Sequence, residues 1–271
     1  MPESRHGVTS YWERSQWPLQ SLYFLAPLLL LYELGTVLMA AEGAARLPAI
    51  YAEELLGRFF RAVGITTVHL PAILVVVVLV VQHLVRRDPA RPELKLYPLM
   101  LCESIVFALP LFVLSTMAAG SQALVAGGAG AGGGAAAAPV AAALAQVGLS
   151  GEPIESVLTR SWGAGLTFAL GAGIYEELLF RMIAIAGLHA VAKSILALPP
   201  RVCDWLAVIL AALLFAAYHF SSPEDFSLPL FTFYALAGVY LGVIYITRGF
   251  GIVVAVHALY DVLAIATHLR V

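Results

Sequence analysis

The sequence predicts an all-α protein that crosses a membrane several times. Of its 271 residues, 61% are hydrophobic and only 12% are charged, which is about half the charged fraction of a typical soluble domain. The mean hydropathy is +0.89. Seven apolar runs each approach the ~20 residues that a helix needs to cross the hydrocarbon core. They cover residues 18–41, 68–85, 97–118, 162–190, 203–220, 228–247 and 250–269. We therefore expect a polytopic membrane protein with about seven transmembrane helices.

The first apolar run is predicted to be a retained helix rather than a signal peptide. It is longer than the apolar segment of a signal peptide, and a polar tail, residues 1–17, precedes it. Residues 18–118 then hold three anchoring transmembrane helices. The formal net charge is −2, and no basic stripe indicates nucleic-acid binding. Cys102 and Cys203 lie in different runs and indicate neither a disulfide framework nor a metal cluster.

Between the first two runs, an amphipathic helix near residues 48–63 is predicted to lie in the membrane interface. Its polar positions are Glu53, Glu54, Arg58 and Arg61, and its apolar stripe is Leu55, Leu56, Phe59, Phe60 and Val63. A helix of this kind buries its apolar face at the headgroup boundary and keeps its charges in water. We therefore expect no chemistry from its Glu-Glu-x-x-x-Arg sequence.

A low-complexity segment divides the chain into two parts. Residues 119–159 contain no Lys or Arg, and the run at 127–139 consists of Gly, Ala and a final Pro. Because glycines make a fixed conformation entropically costly, we expect a flexible extramembrane connection here. The anchoring helices lie before it, and a four-helix unit, residues 160–271, lies after it.

The loop charges predict that the N-terminus lies inside the cell. With this orientation the cytoplasmic segments carry nine Lys or Arg residues and the opposite side carries five. Cytoplasmic loops are generally the ones enriched in positive charge. The high Ala and Gly content suggests a bacterial source, so the expected location is the bacterial cytoplasmic (inner) membrane.

The fourth run carries three charges in its middle, Glu176, Glu177 and Arg181. One charge at membrane depth costs at least about 2.5 kcal/mol. Glu177 and Arg181 are four residues apart and can pair on one face of a helix. Glu176 is rotated by about 100° and has no partner in its own helix. An intramembrane carboxylate without such a partner indicates a functional site.

Later runs supply polar residues that could face Glu176. His219 lies near the end of the fifth run with Phe215 four residues before it, and His257 and Asp261 lie four apart on the seventh. Residues with this spacing share one face of a helix. The presence of such groups together on three apolar helices is typical of a functional site, because each polar group makes insertion of its helix into the membrane less favourable. Four further histidines are expected at helix ends or in the interface, namely His69, His83, His189 and His268.

Helix geometry places two of these residues at one depth. Glu176 lies about 16 residues before the loop at 192–203 and His219 about 16 after it, so that both lie about 24 Å from that loop. His257 is only about 12 Å from the turn at 248–251 by the same arithmetic. It reaches the level of the others only if that turn is buried in the membrane or the sixth helix is steeply tilted.

Three motifs in this order resemble the CPBP family, the CAAX-protease and bacteriocin-processing intramembrane endopeptidases. The motifs are Glu176-Glu177-x-x-x-Arg181, Phe215-x-x-x-His219 and His257-x-x-x-Asp261. The resemblance covers about residues 160–271. The third motif ends in Asn in the CAAX-processing enzymes, whereas this chain has Asp, and bacterial members have either. The resemblance implies a membrane-embedded protease whose substrate is a membrane-associated or lipidated protein.

The resemblance also implies a role for each site residue. Glu176 would be the general base for a water molecule that His219 orients. His257 would donate a hydrogen bond toward the oxyanion, a contribution of about 3 kcal/mol. Asp261 would donate there only when protonated, or would instead fix the tautomer of His257. No cofactor or metal is implied, and the residues with structural roles would be Glu177, Arg181 and Phe215.

Three other interpretations stay open from the residues alone. Two His and one Glu form a known catalytic zinc set, although no His-Glu-x-x-His motif is present. Glu, His and Asp at membrane depth also serve proton-coupled transporters or relays, although the paired broken helices of transporters are not evident. A catalytically inactive member could act as an immunity or scaffold protein, although every catalytic position is filled.

Overall fold

The protein is all-helical over the residues that the computed structural model describes, which are 10–41, 50–62, 64–65, 69–89, 91–125, 162–220 and 226–268. No strand occurs among these residues. The predicted all-α class is therefore confirmed.

The helices follow the predicted apolar runs. Their bounds are α1 (Tyr11–Arg14), α2 (Pro18–Ala41), α3 (Tyr51–Ala62), α4 (Leu70–Arg86), α5 (Leu96–Val125), α6 (Trp162–Glu177), a π-helix (Leu178–Ile185), α7 (Ala186–Ser194), α8 (Pro200–Tyr218), α9 (Leu228–Arg248) and α10 (Phe250–His268). Pro71, Pro200 and Pro229 occupy one of the first two positions of α4, α8 and α9. A proline is favoured there because the missing amide N–H has no intrahelical acceptor.

Five of these helices are long and apolar enough to cross a membrane, namely Pro18–Ala41, Leu96–Ala118, Pro200–Tyr218, Leu228–Arg248 and Phe250–Thr267. Helix α4 is shorter, with 17 residues. The fourth predicted run is not one α-helix but the sequence of α6, the π-helix and α7, with the three charges in its middle. A polytopic membrane protein is therefore supported, and the predicted number of seven spans is not confirmed.

The predicted connection at 119–159 lies mostly outside the described residues. Helix α5 continues to Val125, seven residues into this segment. The remainder, together with the boundary of the C-terminal unit at residue 160, stays a prediction. The first nine residues of the predicted tail also lie outside the described residues.

Helix α10 lies at the centre of the bundle. In the apolar stretch of α10, 61% of the residues are buried inside the protein, against 22–44% in the other four candidate spans. It packs against α2, α5, α6 and α9. The polar side chains of His257 and Asp261 on α10 are accordingly buried within the protein.

The turn between α9 and α10 is buried, which bears on the depth of the site. Gly249 in this turn has a φ of +84°, which residues with a side chain rarely adopt. Arg248 is 4% exposed and donates to both carboxylate oxygens of Glu103, at 2.5 and 2.7 Å. It also donates to the carbonyl of Trp12 at 3.2 Å and the hydroxyl of Ser15 at 3.0 Å. The N-terminal segment therefore covers this turn, which is buried by protein.

Tyr11 completes this cluster around Arg248. Its hydroxyl donates to Glu103 at 2.5 Å, and its ring centroid lies 5.2 Å from the Arg248 guanidinium carbon. Burial and the neighbouring Glu103 carboxylate raise the pKa of the Tyr11 phenol above its ordinary value. The phenol therefore stays protonated at neutral pH and remains a donor.

Replacing Glu103→Gln is expected to destabilise the protein by about 3 kcal/mol, because breaking a buried ion pair leaves Arg248 without a counterion. Thermal unfolding of the detergent-solubilised protein measures this loss. Glu93→Gln is the matched control, since Glu93 also pairs with an arginine, Arg14, but both side chains are 32% exposed. An exposed pair contributes at most about 1 kcal/mol. Equal losses in the two variants would contradict the role given to Glu103.

Candidate active site

A cavity between α6, α8, α9 and α10 contains all four residues that the sequence predicted to be catalytic, namely Glu176, His219, His257 and Asp261. Each of them is 8% exposed or less. The rest of the lining is apolar or aromatic and includes Phe168, Phe215, Phe233, Tyr234 and Tyr260. The side chains of Glu176, His219, His257 and Asp261 therefore converge in one cavity.

Close packing of α6 on α10 brings the first and third motifs together. A β-carbon at Gly173 would lie 2.8 Å from the backbone nitrogen of Ala258. Only glycine therefore permits this approach. Because Glu176 follows Gly173 by almost one helical turn and His257 precedes Ala258, the contact sets their side chains beside each other.

Three distances near 4 Å define the polar centre of the cavity. Oε2 of Glu176 lies 3.9 Å from Nε2 of His219 and 3.8 Å from Nε2 of His257. Oδ2 of Asp261 lies 3.6 Å from the same nitrogen of His257. These separations are too long for direct hydrogen bonds, and the adjoining cavity has room for a water molecule.

The orientation of His219 follows from its contact with its own helix. Nδ1 of His219 lies 2.7 Å from the carbonyl oxygen of Phe215. Because a carbonyl only accepts, Nδ1 must carry the hydrogen, and Nε2 of the neutral ring is left as an acceptor toward Glu176. The ring of Tyr234 stacks on the imidazole, with 3.8 Å between centroids and 17° between planes. Both contacts restrict rotation of the imidazole.

The orientation of His257 is set by Glu177 and not by Asp261, one of whose two implied roles was to fix this tautomer. Nδ1 of His257 donates to Oε1 of Glu177 at 2.6 Å. Oε2 of Glu177 faces Nε of Arg181 at 3.0 Å, so the predicted pair is present. Glu177 is therefore more than a counterion for Arg181, since it also directs Nε2 of His257 into the cavity.

Arg181 is buried against an aromatic ring. It is 1% exposed, and its guanidinium carbon lies 4.4 Å from the ring centroid of Phe215, within the range of a cation–π contact. Within the described residues, Nη1 and Nη2 have no hydrogen-bond partner. Arg181 therefore depends on Glu177 and the Phe215 face for compensation of its charge.

Tyr218 is a residue of the site that no sequence motif marked. Its hydroxyl donates to Oε1 of Glu176 at 3.3 Å and accepts from the backbone N–H of Ala52 at 2.8 Å. Ala52 precedes Tyr218 by 166 positions, so no local pattern links them. The available signal was a polar aromatic side chain directly before His219.

Helix α3 lies closer to the site than its amphipathic pattern predicted. Ala52 and Leu56 are buried, and Glu53 accepts a hydrogen bond from the hydroxyl of Tyr32 at 3.1 Å. Burial raises the pKa of Glu53, although the Tyr32 hydrogen bond opposes the rise. Arg58 is 61% exposed, whereas Glu53 is half-buried, and the interfacial position of the helix stays a prediction.

Other histidines have partners away from the cavity. Nδ1 of His69 lies 2.5 Å from Glu33, and Nδ1 of His189 lies 2.9 Å from Asp204. The side chain of His268 lies outside the described residues. Across the described ranges, no group of three His, Cys, Asp or Glu side chains is arranged to hold a metal ion.

Comparison with known proteins finds a family match in the part of the chain that carries the three motifs. Residues 158–263 match the profile of the Rce1-like family, described as type II CAAX prenyl endopeptidase Rce1-like. This range contains all three motifs. No curated protein and no solved structure matches the chain. The C-terminal part of the chain is therefore similar to the Rce1-like family, which is consistent with the CPBP family of intramembrane proteases.

Proposed function

We propose that this protein is an intramembrane endopeptidase of the glutamic type, which hydrolyses a peptide bond in a membrane-associated or lipidated protein. The observation that carries the proposal is the position of Glu176. Its Oε2 lies 3.9 Å from Nε2 of His219 and 3.8 Å from Nε2 of His257, at a cavity that has room for a water molecule. The Rce1-like match supports a CAAX-type protease, and the reaction uses no cofactor.

In the first step Glu176 activates the water. The Glu176 carboxylate takes one proton while the water oxygen attacks the carbonyl carbon of the substrate. The second O–H of the water donates to Nε2 of His219, which is an acceptor because Nδ1 holds the hydrogen. The proton on Glu176 then passes to the amide nitrogen of the tetrahedral intermediate. The oxyanion re-forms the carbonyl, the C–N bond breaks to release the amine, and the Glu176 carboxylate is restored.

Stabilisation of the oxyanion is assigned to His257. Its Nδ1–H is engaged by Glu177, so Nε2 carries a hydrogen only when the ring is an imidazolium. Such a ring would donate to the developing oxyanion from within an apolar cavity, where the interaction is strongest. Asp261 faces the same nitrogen and can add a donor only in its protonated form.

The contacts of the N-terminal segment support the proposed topology. Arg14 pairs with Glu93, and Gln20 donates to the carbonyl of Arg91 at 2.8 Å. The N-terminal segment and the basic loop before α5 therefore lie at the same end of the bundle. By the positive-inside rule this end would face the cytoplasm, and the Ala- and Gly-rich composition favours the bacterial inner membrane.

Cleavage can be measured with the purified full-length protein in proteoliposomes. The probe is a fluorescence-quenched peptide that ends in farnesylated Cys-Val-Ile-Met, and the same peptide without the farnesyl group shows whether the lipid is required. Proton flux into the same vesicles is recorded in parallel. Proton flux without cleavage would favour a transporter, and neither activity would favour an inactive scaffold.

Glu176→Gln is expected to lower kcat by about 10²- to 10⁴-fold, because the amide cannot act as the base. The thermal midpoint should stay near that of the wild type, since the two side chains have nearly the same shape. Glu53→Gln is the matched control from the other Glu-Glu-x-x-x-Arg sequence, and it should cleave at the wild-type rate. Full activity in Glu176→Gln would rule out the proposed base.

Glu177→Gln is expected to act first on stability, with a loss of about 3 kcal/mol, because it leaves Arg181 as an unpaired buried charge. Thermal unfolding in detergent measures this loss. Glu54→Gln is the control, because its ion pair with Arg58 is exposed and worth at most about 1 kcal/mol. If Glu176→Gln and Glu177→Gln unfolded equally easily, the division of roles between the two glutamates would be refuted.

Asp261→Asn separates glutamic catalysis from zinc catalysis. Asn keeps the size of Asp, removes a negative charge near the oxyanion and adds a donor, so kcat should be retained or raised. A chelator should leave the wild-type rate unchanged. Activity that a chelator abolishes and zinc restores, together with an inactive Asp261→Asn, would show that the reaction is metal-dependent.

A further inference from the structure

One hydroxyl group joins the catalytic carboxylate to a helix outside the region that matches the Rce1-like family. The Tyr218 hydroxyl donates to Oε1 of Glu176 at 3.3 Å and accepts from the N–H of Ala52 in α3 at 2.8 Å. A phenolic hydroxyl has one proton and can also accept, so both bonds form at the same time. Residues 158–263 therefore do not complete the surroundings of Glu176 by themselves.

We propose that Tyr218 is a positioning residue that fixes the rotamer of the Glu176 carboxylate. The two oxygens of this carboxylate have different neighbours. Oε1 lies at the Tyr218 hydroxyl, whereas Oε2 faces the ring nitrogens of His219 and His257. Holding Oε1 leaves Oε2 directed at the water position. This inference rests on the proposed function, in which Oε2 is the base.

The ring of Tyr218 is held independently of its hydroxyl. Its centroid lies 5.1 Å from those of Phe180 and His219 and 5.3 Å from that of Tyr51. These aromatic contacts surround the ring on several sides. Removing the hydroxyl alone should therefore leave the ring in place, so that Tyr218→Phe tests the hydrogen bonds and not the packing.

The anchor of the hydroxyl is a backbone group that needs an acceptor. Ala52 is the second residue of α3, and the first N–H groups of a helix have no acceptor within it. Ala52 is also fully buried, at 0% exposure, and a buried N–H without a partner is unfavourable. The Tyr218 hydroxyl supplies the acceptor. Helix α3 in turn fixes the hydroxyl relative to Glu176.

Hydrogen exchange at the Ala52 amide tests the bridge without any need for a substrate. In the full-length protein, Tyr218→Phe should speed exchange at this amide about fivefold, because its acceptor is lost. Tyr240→Phe is the matched control, since Tyr240 also loses one hydroxyl bond, to the carbonyl of Phe107 at 2.9 Å, but lies outside the cavity. Unchanged exchange in Tyr218→Phe would overturn the bridge.

Two further readouts test the effect on Glu176. With the farnesylated peptide, Tyr218→Phe should lower kcat about 10- to 100-fold and change KM less than twofold, since a misdirected base affects chemistry and not binding. Labelling of Glu176 by dicyclohexylcarbodiimide should become faster, because Oε1 is freed. Tyr240→Phe should change neither value.

The outcomes separate this inference from the proposed function. If the wild type cleaves the peptide and Tyr218→Phe has the same kcat, the positioning role is wrong. If no form cleaves it, the proposed function fails, and the exchange and labelling rates still decide whether Tyr218 holds Glu176. Unchanged labelling in Tyr218→Phe would then overturn the inference.

Discussion

The carboxylate of Glu177 is the contact on which the rest of the site depends. It is fully buried, and it meets Arg181 with one oxygen and His257 with the other, at 3.0 and 2.6 Å. Without it, Arg181 would be an uncompensated buried charge and His257 would lose the group that directs its ring. Glu176 is the preceding residue in the chain, and the two glutamates face the two ring nitrogens of His257. Neighbouring carboxylates thereby acquire different roles through their partners.

The helix that carries these charges changes from α to π beside them. The α-helical path ends at Glu177, and the π-helix Leu178–Ile185 begins directly after it. Wider helical turns of this kind are frequent at functional sites. Here the change occurs where Glu176 faces the cavity, Glu177 faces α10 and Arg181 lies over Phe215. The π-helix thus divides this apolar segment into two α-helices, α6 with 16 residues and α7 with nine.

The sequence predicted the helices and the cavity residues because both leave local signals. Long apolar runs mark the helices, and a charged or imidazole group within such a run is costly enough to indicate a site. The hydrogen bond from His257 to Glu177 joins residues 80 positions apart, and the one from Ala52 to Tyr218 joins residues 166 apart. Such contacts depend on packing that no periodicity encodes. The same limit explains why α3 was expected to be a solvated interfacial helix, since its buried face is defined by its neighbours and not by its own pattern.

The central claim is that Glu176 activates a water molecule held between its Oε2 and the Nε2 atoms of His219 and His257. An experimental density map of the protein with a bound peptide, recorded with anomalous data at the zinc absorption edge, tests it most directly. The account predicts a water molecule about 3 Å from Oε2 of Glu176 and from Nε2 of His219, with no anomalous peak. An anomalous peak at that position, or a direct hydrogen bond between Glu176 and either imidazole that leaves no space for water, would contradict it.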